Sequence, residues 1–290
     1  MKTWLLIDCN YVCWRAGYAM GSLSYDGFET GIAYGFLREV VALTDRFLTP
    51  HVLFAFDSRK SKRRKLFPGY KRSRKQGTPE QQEIRRSVFK QIDVLRSRHL
   101  PYLGFKNIFQ QKGYEADDVI ASLCQSLPDK DKKIIVSSDE DLFQLLSKRV
   151  AIWNPGKAKL ETCKTFMAFR GIKPKQWALV KAIAGCNSDD IPGIVGVGET
   201  SAIKYIRGEL DPNSCYYRRI AYGPQHTKLF LQLTTLPLEG TRTFKIRPDE
   251  VTHKRWNKHV HKLGMTTLED HAPTPDRFRV HEFARIETEY

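Results

Sequence analysis

Three short apolar runs in this chain each end in an aspartate: Trp4-Leu-Leu-Ile-Asp8, His51-Val-Leu-Phe-Ala-Phe-Asp57 and Ile134-Ile-Val-Ser-Ser-Asp139. A run that is apolar throughout suits a strand covered on both faces. Between the runs lie stretches of helical periodicity, notably Gly31 to Phe47 and Glu115 to Leu127. That alternation predicts an α/β fold with a central, mostly parallel sheet flanked by helices. Ligands of such sheets sit beyond the carboxyl ends of the strands, where Asp8, Asp57 and Asp139 are expected to meet. Any one of these acids alone reads more simply as a turn residue. Their repetition is what predicts an acidic pocket.

The pocket's setting is basic. The 290 residues carry 48 Lys or Arg against 32 Asp or Glu, a formal charge of +16, which favours a polyanionic partner, either nucleic acid or an anionic membrane surface. No apolar run approaches the roughly 20 residues a membrane span needs, and Trp4 to Ile7 is too short for a signal-peptide core. The expectation is therefore a soluble, cytoplasmic protein. Six scattered cysteines without C-x-x-C spacing argue against structural zinc and for a reducing compartment, with Cys9 and Cys13 as packing residues. His259 and His261, inside the basic stretch Lys254 to Lys262, read as part of a solvated face.

Between Ser58 and Pro79 stand ten Lys or Arg residues and no acid, with Phe67 and Tyr70 interleaved and Pro68-Gly69 in the middle. Such an insert cannot be core. A longer helix is expected from Pro79 towards Arg98, with Thr78 as N-cap and Pro79 at its first position. Beyond Ala151 further helices are expected near Cys163 to Phe169, Pro174 to Ala184, Glu199 to Arg207, Gln225 to Leu233 and Asp249 to Leu263, and the last fifteen or so residues are unassigned.

More acids join those at the strand ends. Glu115-Ala-Asp117-Asp118 opens a helix after Gly113-Tyr114, Asp139-Glu-Asp141 follows the third strand, and Asp189-Asp190 comes later. Charge compensation at a helix N-terminus accounts for one or two carboxylates, but not for three in four residues beside acids from other elements. Gathered like charges push one another's pKa values up unless a cation intervenes. Hard oxygen donors without His or Cys companions point to Mg2+, with Mn2+ able to substitute. Two such ions can activate water and stabilise a leaving oxygen, so an acidic pocket paired with a basic insert suggests phosphodiester hydrolysis.

Seven motifs, in order, carry a family resemblance: Leu6-Ile-Asp-Cys-Asn10, Phe54-Ala-Phe-Asp57, Gly69-Tyr-Lys-Arg72, Gly113-Tyr-Glu-Ala-Asp-Asp118, Ser137-Ser-Asp-Glu-Asp-Leu142, Ser188-Asp-Asp-Ile-Pro-Gly193 and Gly196-Val-Gly198. From Leu5 to about Ile206 the chain resembles the 5′ nuclease superfamily, the flap endonucleases and 5′-3′ exonucleases of phages and of bacterial polymerase I N-terminal domains. The resemblance implies a resolvase-like, PIN-like nuclease fold with a helical arch at about 58–80 in a core of residues 1–160. Residues 161–290 would form a helical DNA-binding region with a helix-turn-helix glycine turn at 191–198.

The resemblance also implies roles. Asp8, Asp57, Glu115, Asp117 and Asp118 would serve one metal ion, and Asp139, Asp141 and Asp189 a second; Asp190, where the family has Asn, would compensate there, directly or through water, for the aspartate that Cys186 replaces. Lys71 would act on the scissile phosphate. Tyr70, Arg72 and Arg74 would lie at the arch, together with either Arg64, by spacing from Asp57, or Arg63, by spacing from Tyr70. Gly196, Gly198 and Lys204 would face duplex phosphates, with K+ at the glycine turn.

The implied partners are DNA with 5′ single-stranded or branched ends and RNA/DNA hybrid, met by a monomer; a stand-alone chain fits a phage or accessory replication enzyme. Two departures stand out. Where the family reads Gly-Asp-x-Ser-Asp-Asn, this chain has Gly185-Cys-Asn-Ser-Asp-Asp190, so Cys186 replaces a second-site aspartate, and Thr200 stands where a duplex-gripping lysine is usual. A DNA-junction-binding protein with decayed catalysis, and a ribonuclease of the PIN type, are the competing readings.

Overall fold

The computed structural model describes residues 1–75, 77–223 and 226–278. Its main sheet has six strands in the order β5-β4-β1-β6-β7-β8. In chain order the strands are β1 (Thr3–Asp8), β2 (Ser24–Tyr25), β3 (Phe28–Glu29), β4 (Val52–Phe56), β5 (Ile108–Gln110), β6 (Lys132–Val136), β7 (Val150–Asn154) and β8 (Lys159–Glu161), with β2 and β3 forming a separate hairpin. Strands β5, β4, β1, β6 and β7 run parallel, and only β8 pairs antiparallel, with β7. The α/β expectation is met. The three acid-terminated runs are the adjacent strands β4, β1 and β6.

The strands are apolar throughout because both faces are covered. Leu5, Ile7, Val52, Phe54, Phe56, Ile134 and Val136 enter one apolar cluster, and Trp4, Leu6, Leu53, Ala55 and Ile135 enter the other. That is the two-residue period of a strand expressed between two layers of helix. The first cluster is closed by the helices Cys9–Met20, Gly31–Arg46 and Pro79–Val94, and the second by Ala116–Ser126 and Trp177–Ala184. Both clusters draw residues from either side of residue 160: Trp256, Val260 and Leu268 complete the first, and Trp177, Val197 and Phe244 enter the second.

Thr78 caps the helix Pro79–Val94, accepting from the Gln81 amide while the Gln81 side chain accepts from the Thr78 amide. The helix continues through a π-turn, Leu95–His99, into Leu100–Leu103. The basic insert before it holds the short helix Arg63–Leu66 and a 3-10 turn at Ser73–Lys75. Helices at Cys163–Arg170, Glu199–Arg207 and His226–Thr234 match expectation closely; Gln225, where the last was expected to start, lies outside the described residues, as does most of the unassigned tail. The helix expected over Asp249 to Leu263 is His253–Lys262, started by Thr252 accepting from Arg255. Among the described residues no helix is long and apolar enough to cross a membrane.

His259 corrects its sequence reading. Its ring is 9 % exposed, lies 2.9 Å from His99 across a ring-nitrogen hydrogen bond, and stacks on Tyr102. Burial and the neighbouring His99 push it down to about 4. His261 stays on the surface beside Glu269.

Candidate active site

The parallel order puts β1 between β4 and β6, so the chain leaves β1 for one side of the sheet and returns on the other. The crevice this opens lies at the carboxyl ends of the strands. Asp8 ends β1 and caps the next helix, accepting from the Tyr11 amide and from the Ser137 hydroxyl at 2.8 Å. Asp57, just past β4, accepts from the Ala116 amide at 2.7 Å and so ties the N-terminus of the helix Ala116–Ser126 to the sheet. Asp139 follows β6 and accepts from the Asp141 amide.

Burial, with Asp57 next to it, pushes the Asp8 carboxyl up to about 7. Asp57 is raised by burial and by Glu115, Asp117 by burial and Asp118, and Asp139 by burial and Asp189. Burial, Asp139 and Asp189 bring Asp141 to about 7. Its carboxylate, in a residue 9 % exposed, has no hydrogen bond or ion pair among the described residues. Buried carboxyls that raise one another, and a carboxylate with no protein donor, fit a divalent cation, whose charge would reverse these shifts.

Glu115 behaves oppositely. Burial works against its charge, but the ammonium of Lys71 at 2.6 Å and the nearby Arg63 hold it below the ordinary carboxylate range. Lys71 reaches both halves of the site, with Asp189 at 3.5 Å; burial disfavours its charge, yet Glu115 and Asp189 outweigh burial and raise its pKa. Tyr70, 1 % exposed, does the same with its hydroxyl, 2.8 Å from Glu115 and 3.0 Å from Asp189. The backbone of Lys71 is in the left-handed region (φ 51°), its amide bound to the Asp189 carbonyl. This bend delivers both side chains from the basic insert into the acids.

The two candidate arch arginines separate cleanly. Arg64 donates to the carbonyls of Tyr70 and Lys71 at 3.2 and 3.1 Å, bracing that bend beside an open cavity. Arg63 points inward: it is 2 % exposed and makes a two-pronged pair with Asp118 at 2.6 and 2.8 Å. Asp118 is fully buried and also accepts from the Glu115 and Leu238 amides. The expectations of a DNA-contacting Arg63 and a metal-binding Asp118 are therefore corrected, since each is consumed by the other.

Asp190 is corrected as well. Its left-handed backbone (φ 54°) turns the carboxylate towards Ser73, whose amide and hydroxyl it accepts at 2.9 and 2.8 Å. It pins the 3-10 turn of the insert. Arg74 donates to the Ser188 carbonyl and the Asp189 carboxylate, each at 3.1 Å, whereas Arg72 is exposed.

Beside the acids opens a cavity of about 520 Å³ whose lining includes Asp57, Glu115 and Lys71, the cations Arg59, Arg74 and Arg85, and the rings of Trp14 and Phe89. Trp14 meets Phe89 edge-on at 5.7 Å. Sequence reasoning missed Trp14, Phe89 and Arg85 because each sits within helical periodicity and reads as packing or solvated surface. Asn10 and Ser137, which hold the Asp57 amide and the Asp8 carboxylate, were visible only as parts of longer motifs.

The glycine turn leads into the helix Glu199–Arg207. Gly196 has φ 77°, and a Cβ there would meet the Arg219 guanidinium, which donates to the Val195 carbonyl. Gly198 caps the helix Glu199–Arg207 from the ordinary φ region with open space about its Cα. Lys204 is exposed on that helix.

Residues 3–171 match the family model of the 5′-3′ exonuclease N-terminal resolvase-like domain. A 5′-3′ exonuclease of Aquifex aeolicus is 33 % identical over 210 residues, 71 % of this chain and 70 % of that protein. A DNA polymerase I of Mycobacterium leprae is 33 % identical over 211 residues, 70 % of this chain but 22 % of that longer protein. Among solved structures, a bacteriophage T5 flap endonuclease in a pseudo-enzyme-product complex with DNA and metal ions superposes with a TM-score of 0.67 at 20 % identity, covering 81 % of this chain and 90 % of that one.

Proposed function

Since the chain belongs to the 5′-3′ exonuclease family, we propose that it is a divalent-metal-dependent 5′ nuclease that hydrolyses DNA phosphodiesters at 5′ flaps, overhangs or nicks. The observation that carries this reading is the contact of Lys71 and Tyr70, at the base of a basic insert, with Glu115 and Asp189 of the carboxylate cluster. The T5 neighbour, bound to DNA and metal ions, has the same fold.

Asp8, Asp57, Glu115 and Asp117 would hold one ion, Mg2+ being its natural occupant with Mn2+ able to replace it, and Asp139, Asp141 and Asp189 would hold a second, at a site whose ligand set Cys186 alters. Bound there, divalent ions supply Lewis-acid activation of water and stabilisation of the leaving oxygen. The chain's own residues do the rest. Lys71 offers a fixed ammonium to the charge that develops on the phosphate. Tyr70 holds Glu115 and Asp189 in register, and Arg64 braces the bend that carries both. Arg72, Arg74 and the cavity's other arginines draw the single-stranded 5′ end in, while Gly196, Gly198 and Lys204 meet duplex phosphates, with K+ held at the turn.

In this reading residues 1–160 do the chemistry and 161–290 grip the duplex. The protein acts as a monomer in the cytoplasm, and RNA/DNA hybrid is a second substrate. Cys186 favours one other reading, a junction-binding protein of weak catalysis. Cleavage of a 5′-labelled flap in Mg2+, with an EDTA control and the Asp139→Asn variant, separates the two. Cutting near the junction, lost in both controls, supports the nuclease; tight junction binding with no cutting in Mg2+ or Mn2+ supports the binding protein.

A further inference from the structure

We propose that Asp141, Cys186 and Asp189 form a mixed carboxylate–thiolate site that takes a borderline-soft divalent cation of the zinc class in preference to magnesium. The site's role in cleavage rests on the nuclease reading above; its ligand chemistry does not. One donor atom from each of the three residues lies within 4.8 Å of the others. An ion bound at about 2.0–2.3 Å needs its ligands roughly 3.5 Å apart, so side-chain rotation of about an ångström closes the set.

Two independent features point to a ligand here. The Asp141 carboxylate, in a residue 9 % exposed, makes no hydrogen bond or ion pair among the described residues, and its oxygens are free to receive a cation. The Cys186 sulfur, 8 % exposed, has the Ser188 hydroxyl at 3.1 Å as its partner. The backbone fixes this sulfur in place: Cys186 exchanges two hydrogen bonds with Ile191, and Gly185 before it has φ 84°. Asp189 is held in place by the Tyr70 hydroxyl and by the cations Arg74 and Lys71.

A purely packing cysteine would be the simpler account, since Cys186 borders the small apolar cluster of Tyr70, Ile191 and Phe230. An alanine or valine would serve that purpose equally, however, and would not set a sulfur against two carboxylates. A thiol is a poor partner for Mg2+ and a good one for zinc-class ions. On coordination it gives up its proton to solvent as the metal–sulfur bond forms. The two ion positions would then differ in taste, with all-oxygen ligands at Asp8, Asp57 and Asp117 and an oxygen–sulfur set here.

The test is a Co2+ titration of the metal-free full chain, followed by absorbance. The expected result is a thiolate-to-cobalt charge-transfer band that saturates at one ion per chain. It should persist in Cys215→Ser, which removes the exposed thiol, and vanish in both Cys186→Ser and Cys186→Asp. Zn2+ should displace the band, and excess Mg2+ should not. Cys186→Asp should weaken Co2+ binding at least about tenfold, the lower bound for disturbing a metal site's support, while tightening Mg2+ binding. Two Cys186 variants with unchanged circular dichroism guard against misfolding. No band in the native chain, a band that survives in folded Cys186 variants, or displacement by comparable Mg2+ would overturn the site. Because the readout is spectroscopic, failure of flap cleavage leaves this result standing, and the reverse also holds.

Discussion

Replacing Arg63 with methionine tests whether this residue belongs to the molecule's interior or to its DNA-binding surface. In the structure Arg63 gives two hydrogen bonds to Asp118 and a third, at 2.8 Å, to the Leu233 carbonyl, all out of contact with water. Methionine fills similar space but strands the Asp118 carboxylate with only the Glu115 and Leu238 amides as donors. Breaking a buried pair from one side costs about 3–5 kcal/mol, because the remaining charge keeps its desolvation penalty. Urea unfolding followed by tryptophan fluorescence should show stability lowered by that amount, as a fall in midpoint at unchanged slope. The double variant Arg63→Met with Asp118→Asn should recover about 1–2 kcal/mol, since an amide is cheaper to bury than an unpaired carboxylate. A loss below about 1 kcal/mol, accompanied by weaker flap binding, would refute the inward role and return Arg63 to the arch surface.

Lys71→Ala should lower kcat by roughly 10²–10³-fold, the usual cost of removing one preorganised charge stabiliser, with a much smaller change in Kd for the flap; equal losses would remove its catalytic role. In EDTA the raised carboxyls of Asp8 and Asp141 bind protons in the folded chain that the unfolded chain has released, so stability should fall as pH rises from the ordinary carboxylate range through about 7. The slope is about 1.4 kcal/mol per pH unit for each such group, and Mg2+ should flatten it in thermal melts; a pH-independent metal-free melt would contradict the assignment. Asp190→Ala should release the Ser73–Lys75 turn and weaken flap binding while leaving Mg2+ affinity essentially unchanged, since the carboxylate accepts from Ser73 rather than facing the other acids; a large loss of Mg2+ affinity by calorimetry would restore Asp190 as a ligand.

The sheet and the acid cluster were legible because each is written in local pattern. Continuous apolar runs identify β1, β4 and β6, and the acid ending each run falls where parallel strands deliver their ligands. The Thr78 cap was equally readable, since its chemistry lies within four residues. What stayed hidden depends on direction or on distant partners. Arg63 and Arg64 are adjacent, and only three-dimensional packing turns one to Asp118 and the other to the Tyr70–Lys71 bend. Asp190 carries the residue type of a ligand, but a left-handed backbone aims it at Ser73, 117 positions away in sequence. His259 looked solvated because His99, its partner across 160 positions, leaves no mark on the local pattern.

The interleaving of the two apolar clusters bears on how the protein is born. A chain growing from its N-terminus has made every candidate acid by Asp189, yet the carbonyl of Leu233 and the amide of Leu238 that fix Arg63 and Asp118 are still to come. Trp256, which fills the first cluster and hydrogen-bonds the Leu268 carbonyl, comes later again. A nascent chain that has reached Asp189 therefore lacks the Leu238 amide that braces Asp118 until about fifty further residues are added, a span of seconds at ordinary synthesis rates of about 5–20 residues per second. The acid-bearing sheet and the contacts that brace it from behind are thus supplied by segments synthesised at different times.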